Sequence, residues 1–249
     1  MITNPPFGEV SMTLVISKMA INKFVSLFSR QQNFNKKHNN EEEYIITEEN
    51  LKDNTPKGKP MESKLDHHLR IWCANINGMR YDSTCGKLNE IIAVQKETDA
   101  DIMSVTEHNT DVTQYEVTQN IYRRCKEKMS TPQVTYSTTP TTSYTTFKPG
   151  GTMLISQGPV TARIIKKNSD YLGRWSSQTY AGKKGIKVTI ITCYQIPAKK
   201  DHTGKYTNQA QQEAHLRKTN RPYTNIRKLF YDELSAEVET LIGKEHDVL

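Results

Sequence analysis

Residues 70–107 read RIWCANINGMRYDSTCGKLNEIIAVQKETDADIMSVTE, and the fold turns on how that stretch is divided. Ile71-Trp72-Cys73-Ala74 is a short apolar run that stops at Asn75-Ile76-Asn77-Gly78, where the glycine permits a sharp turn. From Lys87 to Glu97, the residues Leu88, Ile91, Ile92 and Gln95 share one face at helical spacing. Asp99-Ala100-Asp101 breaks that helix, and Ile102-Met103-Ser104-Val105 reads as a second buried strand closing at Thr106-Glu107-His108. Strand, helix and strand joined by short loops make a right-handed crossover with parallel strands. That arrangement predicts Asn75, Asn77 and Glu107 at equivalent strand ends, where α/β folds bind their ligands. An amide and a carboxylate placed there are hard oxygen donors, matched to magnesium or manganese and poor for zinc. Such an ion points towards phosphate chemistry.

Working outward, the chain of 249 residues is long enough to bury a large core. Its net charge of +7 calls for a polyanionic partner, although charge alone does not separate nucleic acid from a membrane surface. The four cysteines (Cys73, Cys85, Cys125, Cys193) show neither a CxxC pair nor a zinc spacing, which reads as reduced thiols in an intracellular protein. Cys73 and Cys193 are expected on core strands, with Cys85 in a loop and Cys125 on a helix. No apolar run approaches a membrane span.

Downstream of Glu107, Val112–Met129 is expected as a helix carrying Tyr115, Ile121 and Tyr122, and Ser130–Thr146 as an exposed loop or hairpin. Gly150-Gly151-Thr152 precedes a buried strand, Met153–Ser156, and tandem glycines there let another backbone or a ligand come close. Val160–Ile165 and Arg174–Tyr180 read as strands, and Ala181–Gly185 as a hairpin turn into Ile186–Tyr194. Pro222–Ile242 is the clearest helix, with Ile226, Leu229, Phe230, Leu234, Val238 and Leu241 as its stripe and Gly243 as its cap. Asp247-Val248-Leu249 begins what reads as another strand. Between Lys148 and Lys228 there are about 16 Lys and Arg against three acids (Asp170, Asp201, Glu213), an electrostatic footprint for a nucleic-acid backbone. Upstream, Met12–Phe28 is compatible with an amphipathic helix, and Lys18, Lys23 and Arg30 without acids have the look of an organellar presequence. Residues 31–65 are too polar to fold alone. The expected division is a low-complexity or disordered extension over 1–66 and a folded domain over 67–249.

The segments Arg70-Ile-Trp-Cys-Ala-Asn75-Ile-Asn77-Gly78-Met-Arg80 and Asp101-Ile-Met-Ser-Val-Thr-Glu107 resemble the first two motifs of the endonuclease/exonuclease/phosphatase superfamily. Within it they look most like exonuclease III-like apurinic endonucleases and the endonuclease domains of non-LTR retrotransposons. The resemblance spans roughly Leu69 to Leu249, about the N-terminal two-thirds of a family domain. It implies an α/β fold of two packed β-sheets flanked by helices, a DNase I-like four-layer sandwich, incomplete at the C-terminus. The family's Gly-Asp-Phe-Asn and Ser-Asp-His segments are absent from the sequence, so the chain is expected to be a truncated copy. The resemblance further implies Mg2+ or Mn2+ on Asn75 and Glu107, with Tyr194 matching the tyrosine that completes the catalytic set near the scissile phosphate. Asn77, Arg80, Gly151, Arg174, Lys183 and Lys184 are the candidate substrate contacts. The family's asparagine after that tyrosine has no counterpart in Gln195-Ile196-Pro197-Ala198, which leaves Gln195, Asn208 and Gln209 as open replacements. The implied activity is magnesium-dependent nicking of DNA, in the nucleus, weak or lost in this chain. Two other readings stay open: a non-catalytic nucleic-acid-binding remnant, and an inositol-phosphate or lipid phosphodiesterase on the same fold. The sequence points to no membrane and lets no protein partner be inferred.

Overall fold

The computed structural model describes residues 11–16, 63–65, 68–79, 86–140, 147–196, 207–221 and 225–246, with side chains outside 11–16 and 244–246. Strands β2 (Ile71–Asn75) and β3 (Ile102–Thr106) are parallel neighbours, and helix α1 (Gly86–Thr98) joins them in sequence. Leu88, Ile91, Ile92 and Gln95 are buried, as their spacing predicts. The helix stops where Asp99 takes a left-handed φ of +49°, so that Ala100 N donates back to Gln95 O at 3.1 Å. Antiparallel β5 (Thr152–Ser156) and β4 (Gln133–Ser137) complete a sheet ordered β2-β3-β5-β4. A second, antiparallel sheet is ordered β1-β8-β7-β6, from β1 (Ser11–Ile16), β6 (Ile164–Ser169), β7 (Trp175–Ala181) and β8 (Lys187–Tyr194).

The period-2 alternation of the strands sorts side chains into four layers. Met103, Val105, Met153 and Ile155 pack with α1 and with Val117, Ile121 and Cys125 of α2 (Tyr115–Lys128). Their neighbours Ile102 and Leu154 point the other way, against Tyr180 and Ile190 of the second sheet. Beyond that sheet, Trp175, Ile191 and Cys193 meet Phe230, Leu234 and Val238 of α4 (Ile226–His246), which follows α3 (Asn208–Lys218). The chain is thus a mixed α/β protein of two packed sheets flanked by helices. Hydroxyl pairs cross the inter-sheet layer: Ser104 with Thr192 at 2.8 Å, Thr152 with Ser176 at 3.1 Å, and Ser156 with Tyr180 at 2.7 Å. Buried polar atoms need partners, so these pairs fix how one sheet sits on the other.

Several expectations are corrected. Residues 12–16 form a strand rather than the start of a helix. Met12-Thr13-Leu14-Val15-Ile16 is rich in residues that suit a pleated surface, and the edge of β8 supplies a partner. Within 130–146, expected as an exposed loop or hairpin, residues 133–137 are strand β4, tied antiparallel to β5 over its length. Residues 158–163 are a 3-10 turn, not a strand, because Pro159 lacks a ladder donor and Gly158 turns at φ +68°. Tyr115 and Tyr122 lie on the outer face of α2, 75% and 43% exposed. Cys73 is exposed on β2, whereas Cys125 and Cys193 are buried, and none of the three is in a disulfide. Gly243 lies within α4, which runs on to His246, and the helix is capped at its start by Asn225 Oδ1, which accepts from Arg227 N and Lys228 N. Arg80, Cys85, Pro222, the expected strand at 247–249 and residues 17–62 lie outside the described residues. No helix among the described residues is long and apolar enough to cross a membrane.

Candidate active site

The parallel register pairs Asn75 with Thr106, so Asn75 and Glu107 leave their strands side by side. Three loops are then laced together. Gly78 N and Met79 N donate to Glu107 O and His108 O, each at 2.7 Å, and Glu107 N and Asn109 N donate to Gly151 O and Gly150 O, each at 2.9 Å. Asn77 (φ +46°), Glu107 (φ +53°) and Asn109 (φ +52°) all take left-handed backbone, and Asn75 Oδ1 accepts from Asn77 N at 3.0 Å. Each such non-glycine conformation costs about 1–2 kcal/mol, so the surrounding bonds must hold it. Asn77 is exposed, and the Glu107 side chain lies at the border of the buried layer.

Behind this loop cluster the groups that could do acid–base work are already engaged. His108 is fully buried. Its Nδ1 accepts from Thr110 N at 3.1 Å, which leaves the proton on Nε2, donated to Ser137 O at 3.1 Å. Burial pushes its pKa down to about 4, against the pull of that carbonyl, so the ring is neutral. Asp111 pairs with the buried Lys148 at 3.0 Å, and Lys148 also donates to Thr139 O at 2.8 Å. Burial alone raises the Asp111 pKa, but bonds from Thr113 and Lys148 outweigh it and hold the carboxyl below its usual range.

The candidate residues separate into groups. Thr152 bonds Ser176 and Ser104 bonds Thr192, so Tyr194 at the close of β8 reaches the same end of the sandwich as Asn75 and Glu107. Tyr194 is buried, and its backbone N donates to Arg174 O at 2.8 Å. Gly151 is also at this end, and its lack of a side chain is explained by packing: a Cβ would lie 2.3 Å from His108 Nε2. The close approach expected at the glycine pair is therefore made by side chains of this protein rather than by a ligand. Arg174 sits at this end too, but it faces inward. Its Nε and Nη2 bond Asp170 at 2.7 and 2.8 Å, Nη2 also meets Glu233, and its plane covers Trp175 at 4.5 Å. Its charge is committed to carboxylates of the protein. Lys183 and Lys184 are exposed beyond Ala181, at the opposite end of β7 from Trp175, roughly 20 Å away at strand rise. The structure does not bring them together with Asn75 and Glu107.

Of the three replacements left open for the missing asparagine, two are engaged elsewhere. Gln195 Oε1 accepts from Arg227 and Tyr231, and Gln209 donates to Glu213. Asn208, the first residue of α3, lies directly over Gly150, where a Cβ would meet its Nδ2 at 2.1 Å. That Nδ2 is buried and has no hydrogen-bond partner among the described residues. The glycine pair was the local signal that something packs closely there; which residue does so is set 58 positions away (208 − 150).

Asn75 and Glu107 are the candidate oxygen donors at this end, and no group of three or more His, Cys, Asp or Glu gathers among the described residues. That suits a hydrated magnesium, which keeps several waters and takes one or two carboxylates, and it does not suit zinc. No family model and no curated protein matches the chain. Among solved structures, an AP endonuclease from Archaeoglobus fulgidus is similar at 19% identity with a TM-score of 0.29, over 46% of this chain and 38% of that chain.

Proposed function

We propose that the end of the sandwich carrying Asn75, Glu107, Tyr194 and Asn208 is a phosphodiester site acting on nucleic acid, with DNA as its substrate. The supporting observation is the placement of Asn75 and Glu107 at the ends of adjacent parallel strands, with left-handed backbone at Asn77 and Glu107. Glu107 and Asn75 would hold a hydrated Mg2+ or Mn2+, which when bound supplies charge neutralisation at a phosphate and a more acidic water. Asn208 Nδ2, a buried donor beside the Gly150 loop, supplies a hydrogen bond to an anionic oxygen at the same end. Tyr194 closes β8 beside it. Arg217, Lys218 and Lys228 are exposed on α3 and α4 and provide sequence-independent phosphate contacts. The reading resembles that of retrotransposon endonuclease domains and places the chain in the nucleus.

A second reading has its own observation. His108 has both ring nitrogens engaged and Asp111 is bonded to Lys148, so neither is a general base for water. General-base help is worth about 10²–10⁴-fold. The chain is therefore proposed to bind nucleic acid through counterion release and to cleave it slowly or not at all. The experiment is a nicking assay on supercoiled plasmid with and without Mg2+, alongside a salt titration of DNA binding, using the chain and Glu107→Gln. Salt-sensitive binding with Mg2+-dependent nicking that disappears in Glu107→Gln supports the catalytic reading. Binding without nicking supports the binding reading. Phosphate release from inositol phosphates with no DNA binding sinks both.

A further inference from the structure

A cavity lies between the closing residues of β8 and helices α3 and α4, lined among others by Arg174, Tyr194, Gln195, Gln212, Arg227 and Phe230. It has room for a water molecule and little more. Three of its lining residues carry a buried side-chain atom with no hydrogen-bond partner among the described residues: Arg174 Nη1, Gln195 Nε2 and Gln212 Oε1. Buried polar atoms in native proteins are almost always satisfied, by protein or by ordered water, so three around one cavity call for an occupant.

The chemistry of that occupant follows from how the two amides must be oriented. Gln212 Nε2 donates to Leu172 O at 3.2 Å and to Asn208 Oδ1 at 3.1 Å. A backbone carbonyl only accepts, so the Gln212 nitrogen has to face Leu172, and its oxygen is left over. Gln195 Oε1 accepts from Arg227 Nη2 at 3.2 Å and from Tyr231 OH at 2.8 Å. A guanidinium only donates, so the Gln195 oxygen has to face Arg227, and its nitrogen is left over. Arg174 has Nε and Nη2 on Asp170 and Glu233, which leaves Nη1. The cavity therefore offers two donors and one acceptor.

Water complements that set. Its two lone pairs accept from Arg174 Nη1 and Gln195 Nε2, and one of its hydrogens is donated to Gln212 Oε1. An anion such as chloride would face the Gln212 oxygen and gains little from a guanidinium that Asp170 and Glu233 already flank. An apolar occupant would satisfy none of the three atoms. We propose that this cavity is a binding site for one long-lived internal water, which fastens α3 and α4 to the strand end that carries Tyr194.

The test has two arms. Crystals of the chain soaked in bromide should show a water oxygen within hydrogen-bond distance of the three atoms and no anomalous peak. A bromide peak, or no density between the three groups, overturns the proposal. In solution, oxygen-17 relaxation dispersion should detect a slowly exchanging water that is lost in Gln212→Met and kept in Gln209→Ala, on the same helix. If Gln212→Met does not fold, Gln195→Met takes its place with the same expected loss. A signal unchanged in the folded Met variant overturns the site.

Discussion

The two ends of the sheet sandwich are built on different rules. At the end where β7 meets β8, a short exposed turn closes the hairpin, Lys183 and Lys184 face solvent, and a Cβ on Gly185 would meet nothing within 4 Å. At the other end the chain is left-handed at Asn77, Glu107 and Asn109 and buries Lys148, Asp111, Arg174, Asp170 and His108. Asp99, Thr131 and Lys184 are left-handed too (φ +49°, +44° and +56°), so positive φ alone does not separate the ends; buried charge does. The difference teaches where buried charge is tolerated. Buried charge persists only where partners compensate it, as Asp111 does for Lys148 and Asp170 for Arg174, whereas a left-handed residue is also tolerated at a solvated tip.

The contrast can be broken most directly at Arg174. Arg174→Met leaves Asp170 and Glu233 without their guanidinium and is expected to lose about 3–5 kcal/mol in urea unfolding. A loss near that of an exposed arginine would erase the distinction between the ends.

The next effect is in pH. Burial holds His108 at about 4, below its usual 6.5. As pH falls through 6.5 the unfolded chain takes up a proton that the folded chain refuses. Stability is therefore full above about pH 6.5, falls down to about pH 4, and levels below that, by about 3 kcal/mol in all. Denaturation at pH 7, 5.5 and 4.5 should show that fall in the unmodified chain and a shallower one in His108→Gln. Equal slopes would mean the ring is accessible.

A smaller and sharper comparison sets two glycines against each other. Gly151 (φ +85°) and Gly185 (φ +75°) are both left-handed, but only Gly151 has the His108 ring where a Cβ would go. Gly185→Ala should cost about 1 kcal/mol, the backbone penalty alone, and Gly151→Ala about 2 kcal/mol more because the ring must move. Equal costs would show that packing at the two ends does not differ.

Smallest of all is the change expected at the lysines. Lys183→Ala with Lys184→Ala should leave stability within about 0.5 kcal/mol. It should also leave any Mg2+ affinity of the Glu107 end untouched, read by metal-titration calorimetry. A loss of metal binding in this pair would place both lysines where the register does not.

By itself the sequence determined the units whose signal is local. The β2–α1–β3 unit was legible because Leu88, Ile91, Ile92 and Gln95 recur at helical spacing between two apolar runs, and short connections leave a parallel crossover as the outcome. The stripe of α4 was legible for the same reason: Ile226, Phe230, Leu234 and Val238 repeat every four residues. The placement of an amide and a carboxylate, Asn75 and Glu107, at neighbouring strand ends was also on the face of the sequence. Only the tertiary structure decided what each basic or polar residue faces. Arg174 looked like a phosphate contact until Glu233, 59 residues on, was found bonded to it. Gln195, Asn208 and Gln209 were equivalent by spacing, and only the packing puts Asn208 against Gly150. Strand β1 needed the edge of β8, more than 170 residues away, before its residues could be told from a helix. Periodicity is written into neighbouring residues, whereas the partner of a charge or a sheet edge is chosen by which distant segments pack together, and no local pattern records that choice.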